Sequence, residues 1–180
     1  VQLGPELPRG RKMDEITFTQ PTQALYESYN SCVSAVARER RYIGIVNAPT
    51  MNETRDYVVA INDISGHITL AVTNDRVIGW CSTTHQTDEG FTHVAHIGMG
   101  LLPDYRGRGL GRRLLDDALN WSWDSGYERV ELSVFTDNEI AIRLYRSAGF
   151  VEEGTRRKAR KLNGSYNDIM QMGIFNPGLQ

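Results

Sequence analysis

The stretch PDYRGRGLGRRLL, Pro103–Leu115, most narrows what this chain can fold into. It follows an apolar run, THVAHIGMGLL (92–102), that reads as a strand interrupted by Gly98 and Gly100. Glycines inside a strand suggest a bulge or the close approach of something else. From Leu110 the apolar positions Leu114, Leu115, Ala118 and Trp121 fall on one face of a helix that Gly126 stops. A strand that turns into a helix through Gly107, Gly109 and Gly111 presents bare main-chain N–H groups, and the helix start adds roughly half a positive charge. Arg106, Arg108, Arg112 and Arg113 add bidentate charge suited to phosphate, although helix geometry lets only some of them face one ligand. On these residues alone, a phosphate or pyrophosphate site and a solvated basic turn both remain open.

The rest of the chain supplies the frame. EITFT (15–19) reads as a short strand and Gln23–Arg40 as a helix. A second helix is predicted from a cap at Asn52 to Gly66. HITLAVT and RVIGWCSTT form a hairpin around NDR, and RVELSVF (129–135) reads as a buried strand. DNEIAIRLYRSAGF is a further helix with Ala141, Leu144, Tyr145 and Ala148 on one face and Gly149 as its stop. Two last β segments flank Asn163-Gly164, a strong hairpin signal. With hairpins at both ends and one central β-α-β unit, the expected class is α+β, a mixed, mostly antiparallel sheet flanked by helices.

Composition removes several alternatives. A chain of 180 residues is usually one domain, and a formal net charge of −2 offers no overall positive field for nucleic acid. Cys32 and Cys81 lie far apart with no CxxC or Cys/His cluster, which argues against a disulfide framework and a structural zinc; no metal is expected. No apolar run approaches 18 residues, so neither a transmembrane helix nor a membrane partner is expected. Residues 1–14 lack the apolar core of a secretory signal and read as a flexible lead-in in which Met13 is a candidate start; a cytoplasmic location follows as an expectation. A nucleoside-triphosphate loop needs Lys-Ser or Lys-Thr after its glycines, and neither is present. A Rossmann loop needs G-x-G-x-x-G close after its strand, whereas here the spacing is G-x-G-x-G with PDYR intervening, and only one β-α-β unit is available.

RGRGLG, Arg106 to Gly111, matches the Q/R-x-x-G-x-G/A signature of the GNAT superfamily of acyl-coenzyme-A-dependent N-acyltransferases. The likeness continues: VAHIGMGLLPDYRGRGLGRRLL resembles that family's central strand, loop and helix. ELSVFTDNEIAIRLYRSAGFVEEG resembles its next strand and helix, and NGSYNDIMQMG is similar to members that acetylate free amino acids and, more loosely, protein N-termini. The resemblance is strong from about Val77 onward. It implies an acetyltransferase domain over 15–176, with 177–180 as a tail, and a pair of splayed strands that hold acetyl-coenzyme A. Met99, Gly100 and Leu101 would pair with the pantetheine arm. The main chain of Gly107, Arg108, Gly109, Leu110, Gly111 and Arg112 would hold the pyrophosphate, with Arg106 a candidate charge contact.

Other residues keep two readings. Asn138 is a helix cap or a contact to the cofactor arm. Tyr145 is a core tyrosine or the general acid that protonates the departing sulfur. Relatives often carry a carboxylate where this chain has His96, so His96 and Glu131 are rival candidates for the general base, His93 and His85 weaker ones, and a structural role for His96 stays open. The implied reaction is direct transfer of acetyl to a primary amine, in the first place a small molecule such as an amino acid. A protein N-terminal or lysine acetyltransferase and a non-catalytic coenzyme-A-binding module are the alternatives. Tyr29, Arg40, Tyr42 and their neighbours, together with the last hairpin, are expected to shape acceptor choice, and a homodimer is a further expectation, since many relatives dimerise.

Overall fold

A computed structural model describes residues 15–85 and 87–179; the lead-in 1–14 lies outside them. The elements are β1 (Thr17–Thr19), α1 (Tyr26–Arg38), α2 (Met51–Asp63), β2 (His67–Thr73), β3 (Arg76–His85), β4 (Val94–Leu101), α3 (Leu110–Asp124), β5 (Arg129–Phe135), α4 (Glu139–Ser147), β6 (Val151–Leu162) and β7 (Ser165–Phe175). They build one seven-stranded sheet, ordered β1-β2-β3-β4-β5-β7-β6. Only β4 and β5 run parallel, as the single β-α-β unit requires. The fold is therefore α+β with a mixed, mostly antiparallel sheet. Among the described residues no helix is long and apolar enough to cross a membrane.

Helices cover both faces of β2–β4. On one face Tyr29 of α1 meets Trp80 of β3 edge-on at 6.2 Å, and Tyr57 of α2 donates to Ser82 at 2.9 Å. On the other face α3 buries Leu114, Leu115 and Ala118 completely. Tyr29 is 2% exposed, so it belongs to the core and does not face an acceptor, contrary to the expectation above.

Helix α2 begins at Thr50 rather than at Asn52. Thr50 and Glu53 form a reciprocal capping box, with the Thr50 N–H donating to Glu53 at 2.7 Å and the Glu53 N–H donating to Thr50 at 3.2 Å. The pattern T-x-x-E satisfies two N-terminal donors, which a lone Asn cannot. Gly98 and Gly100 create no bulge, since β3 and β4 pair in unbroken register from Gly79↔Leu101 to His85↔Ala95. Gly100 answers a close approach instead: a Cβ there would sit 2.3 Å from the Trp80 ring. The final hairpin turns at Asn163-Gly164, with φ of 50° and 82°, as anticipated for Asn-Gly.

Candidate active site

The β4–β5 ladder is only three rungs long: Val94↔Arg129, Ala95↔Val130 and His96↔Glu131. Beyond the third rung the strands part, and the main chain of Ile97–Leu101 is paired with β3 on one side only. The gap opens into a cleft of about 470 Å³ that passes between the sheet's two faces. Its walls combine the β4 edge, the glycine-rich loop, Asn138 and Tyr145 of the α4 region, and Tyr42–Gly44 from the α1–α2 connection.

The anion end of the cleft is made of backbone. Gly107 and Gly109 take φ of 71° and 78°, and a Cβ at either would meet nothing within 4 Å. Helix α3 starts at Gly109 without a side-chain cap, whereas Thr50 caps α2 and Asn138 caps α4. Its first intrahelical bond comes from the Arg113 N–H to Gly109, so the preceding N–H groups have no partner within the helix. Gly111 serves packing as well: its Cα lies where a Cβ would touch Leu144 at 3.3 Å and Leu101 at 3.4 Å.

The arginines divide by geometry. The Arg106 guanidinium donates to the Leu101 carbonyl at 2.9 Å and to Glu39 at 2.8 Å, with the Tyr42 ring 4.9 Å away. It thereby ties the end of α1 to the glycine loop. Arg112 borders the cleft while donating to Asp116 at 2.7 Å and to the Ser147 carbonyl at 3.2 Å. Arg108 lies over Tyr105, and Arg113 turns away to the Phe18 ring. The Leu110 side chain is in the core, leaving its N–H as the group available to a ligand. Of the residues expected to hold a cofactor, Met99, Gly100, Leu101, Arg106, Gly107, Gly109, Gly111, Arg112, Asn138 and Tyr145 line the cleft, and the Arg108 and Leu110 side chains do not.

Asn138 does one of its two anticipated jobs visibly: its side-chain oxygen accepts from the Ala141 N–H at 3.3 Å, and it faces the cleft while doing so. Tyr145 is 8% exposed, packs on Phe150, and reaches the cleft wall. Burial pushes its phenol well above the usual tyrosine range, with the nearby Cys81 adding to the rise, so the hydroxyl keeps its proton.

His96 and Glu131, rivals in the sequence, are partners in the structure. His96 Nδ1 lies 3.1 Å from Glu131 Oε1 on the last rung before the strands part. A carboxylate accepts only, so Nδ1 carries the proton, and in the neutral ring Nε2 is the basic nitrogen. Arg129 holds the second Glu131 oxygen at 3.1 Å and pairs with Glu153 of β6 at 2.6 Å. None of His96, Glu131, His93 and His85 lines the cleft wall, though the His96–Glu131 rung directly precedes Ile97 and Gly98, which do; His85 Nε2 meets the Ile64 carbonyl at 2.5 Å. Among the described residues no group of three His, Cys, Asp or Glu side chains is arranged to hold a metal.

Sequence reasoning missed Ile43 and Gly44, which border the cleft from an irregular connection without periodicity. Arg160 of β6 pins that connection by donating to the Arg40 and Ile43 carbonyls, each at 3.4 Å. The pairing of His96 with Glu131 was readable in principle. Each stands two residues past the start of its strand, in a unit whose strands must run parallel.

Among known proteins, the chain is similar to N-alpha-acetyltransferase RimI of Mycobacterium tuberculosis, 43% identical over 87 residues, covering 48% of this chain and 52% of that protein. It is 32% identical over 114 residues to L-amino acid N-acetyltransferase AaaT of Escherichia coli, covering 61% of this chain and 60% of the other. It thus spans little more than half the length of these curated relatives. A GNAT superfamily phosphinothricin acetyltransferase from Sinorhizobium meliloti, solved in complex with acetyl-coenzyme A, superposes with a TM-score of 0.84 at 17% identity, covering 89% of this chain and 88% of that one. The profile of the Acetyltransferase (GNAT) family matches residues 22–150, which include the parted strands, the glycine loop and Tyr145. By fold, by loop and by sequence, this chain belongs to the GNAT acetyltransferase family.

Proposed function

We propose that the protein is an N-acetyltransferase that moves an acetyl group from acetyl-coenzyme A to a primary amine, most readily a small molecule such as an amino acid. One observation carries this reading: a single cleft joins an uncapped helix start, an unpaired strand edge and a buried tyrosine, and a His–Glu pair stands on the last rung before the strands part. The residues fit the donor. N–H groups from Gly107 to Arg112 would bind the pyrophosphate, the β4 main chain at Met99–Leu101 would pair with the pantetheine arm as an added strand, and Asn138 would contact that arm.

The acceptor reaches the active site as an ammonium. His96, oriented by Glu131, takes one proton so that the nitrogen lone pair attacks the thioester carbonyl. As the new C–N bond forms and the C–S bond breaks, the Tyr145 hydroxyl gives its proton to the departing sulfur. The phenolate so formed takes up the second proton that the new amide nitrogen sheds, while His96 releases the first to solvent. Both reactants are held together, and no covalent enzyme intermediate is needed. The tethered α1–α2 connection favours a small acceptor, because Arg160 donates to the Arg40 and Ile43 carbonyls and so holds Tyr42–Gly44 at the cleft wall. The similarity to an N-alpha-acetyltransferase supports a second reading, a protein N-terminus as acceptor. The two cysteines are free and buried, which suits the cytoplasm, and a homodimer is part of the proposal.

The test is thiol release from acetyl-coenzyme A with free amino acids, polyamines and short peptides, each product weighed by mass spectrometry. The reading expects amine-dependent thiol release, greatest with amino acids. Release with peptides alone would favour the second reading. Tight acetyl-coenzyme A binding with no release for any amine would reduce the protein to a binding module.

A further inference from the structure

Three strand glycines near the site have a packing reason. A Cβ at Gly79 would sit 2.4 Å from Leu101, one at Gly100 2.3 Å from Trp80, and one at Gly173 2.6 Å from the Arg129 guanidinium. Gly98 has no such reason. A Cβ there would meet only Ser82 Oγ, at an ordinary 3.5 Å, and its φ lies outside the left-handed region. Gly98 is nonetheless exposed in the middle of the sheet, one residue past the point where β4 and β5 part. Its bare backbone fits a molecule that comes from outside.

The direction from which that molecule comes can be read from strand alternation. Met99 and Leu101 point toward α3, where they meet the Gly111 position. Gly98 therefore opens to the opposite face, away from the glycine loop. On that face Ser82 donates to the Gly98 carbonyl at 3.2 Å, and Tyr57, half-exposed, donates to Ser82 at 2.9 Å. His96 precedes Gly98 by two residues and shares its face. Across the gap, Ser133 donates to Gln171 at 2.8 Å, two residues past Glu131. Both Glu131 oxygens are engaged, by His96 and by Arg129.

We propose that the bare backbone of Gly98 is the floor of the acceptor seat and sets the breadth of the amine that can be acetylated. The surroundings suit a primary amine on a narrow, polar body. They do not suit a polycation, which needs carboxylates not already paired. The proposal rests on the acetyl-transfer reading above.

Gly98→Ala and Gly98→Val test it, because both fit an extended backbone and the added Cβ meets no close neighbour. The acceptors are glycinamide, alaninamide and valinamide, together with the three corresponding free amino acids. Melting temperature and acetyl-coenzyme A affinity, measured by calorimetry, should stay at wild-type values. One methyl in a fitted pocket is worth about 10–200-fold, so Gly98→Ala should raise the glycine-over-valine preference in kcat/KM by at least about tenfold. Gly98→Val should lower turnover of every acceptor. Unchanged selectivity in both folded variants overturns this proposal while leaving acetyl transfer intact. Lost acetyl-coenzyme A affinity also overturns it and assigns Gly98 to the donor. If the wild-type protein binds acetyl-coenzyme A and acetylates neither series, the narrow-amine class fails; if it acetylates no amine at all, acetyl transfer fails with it.

Discussion

Tyr145 is at once a core residue and a wall of the cleft, and the two roles support each other. Burial raises its pKa above the usual tyrosine range, which keeps the phenol protonated through neutral pH. Tyr145→Phe should bind acetyl-coenzyme A as wild type does and lose about 10²–10⁴-fold in kcat, the usual worth of general acid assistance. Because the donor form persists above the ordinary tyrosine range, the wild-type kcat profile should show no alkaline loss up to about pH 10, the ordinary tyrosine pKa. Wild-type kcat in the Phe variant, with chemistry rate-limiting, would leave Tyr145 as packing alone. The His96–Glu131 pair makes a separate prediction. A base must be deprotonated, so kcat/KM should fall toward low pH. His96→Ala should lose rate chiefly where the amine is protonated, and much less at high pH. Glu131→Gln keeps the shape but replaces an acceptor-only carboxylate with an amide that can also donate, so it fixes the His96 tautomer less firmly, and its loss should be smaller than that of His96→Ala. A uniform loss at every pH would make the pair a positioning device.

The elements were legible where periodicity and punctuation agree. Strand β5 was read at its observed bounds, and α3 from Leu110, because alternation or helical spacing ends on Gly126 or at a loop. The second helix began two residues earlier than its cap was placed, since Asn52 alone outshone the T-x-x-E pair. The glycines of β4 were ambiguous, because a bulge, a packed ring and a ligand leave the same sequence mark. Structure separates them, and Gly100→Ala checks the separation. Its Cβ would enter the ring of Trp80, itself 6% exposed, and the cost of overpacking is typically about 1–3 kcal/mol. A clear drop in melting temperature is expected, in contrast to Gly98→Ala. Equal melting temperatures for the two variants would contradict the assignment of Gly100 to packing.

For the molecule as a whole, one short parallel ladder in an otherwise antiparallel sheet decides the function. Hydrogen bonding that stops after three rungs leaves a gap, and in the proposed function the elements on either side would supply opposite ends of one reaction. Much of this was visible in the run from Val94 to Gly154, where loop, cap and tyrosine sit at fixed spacing. The tether of the α1–α2 connection was not. It depends on Arg160, Glu39 and Arg106, which are 67 and more residues from at least one partner and carry no local signal. The most direct test of the central claim is a crystal structure of the protein with acetyl-coenzyme A. The account predicts a pantetheine arm hydrogen-bonded to the main chain at Met99–Leu101, a pyrophosphate on the N–H groups of Gly107–Arg112, and the Tyr145 hydroxyl within hydrogen-bonding distance of the sulfur. A cofactor bound elsewhere, or a β4–β5 gap closed by pairing between the two strands, would contradict it.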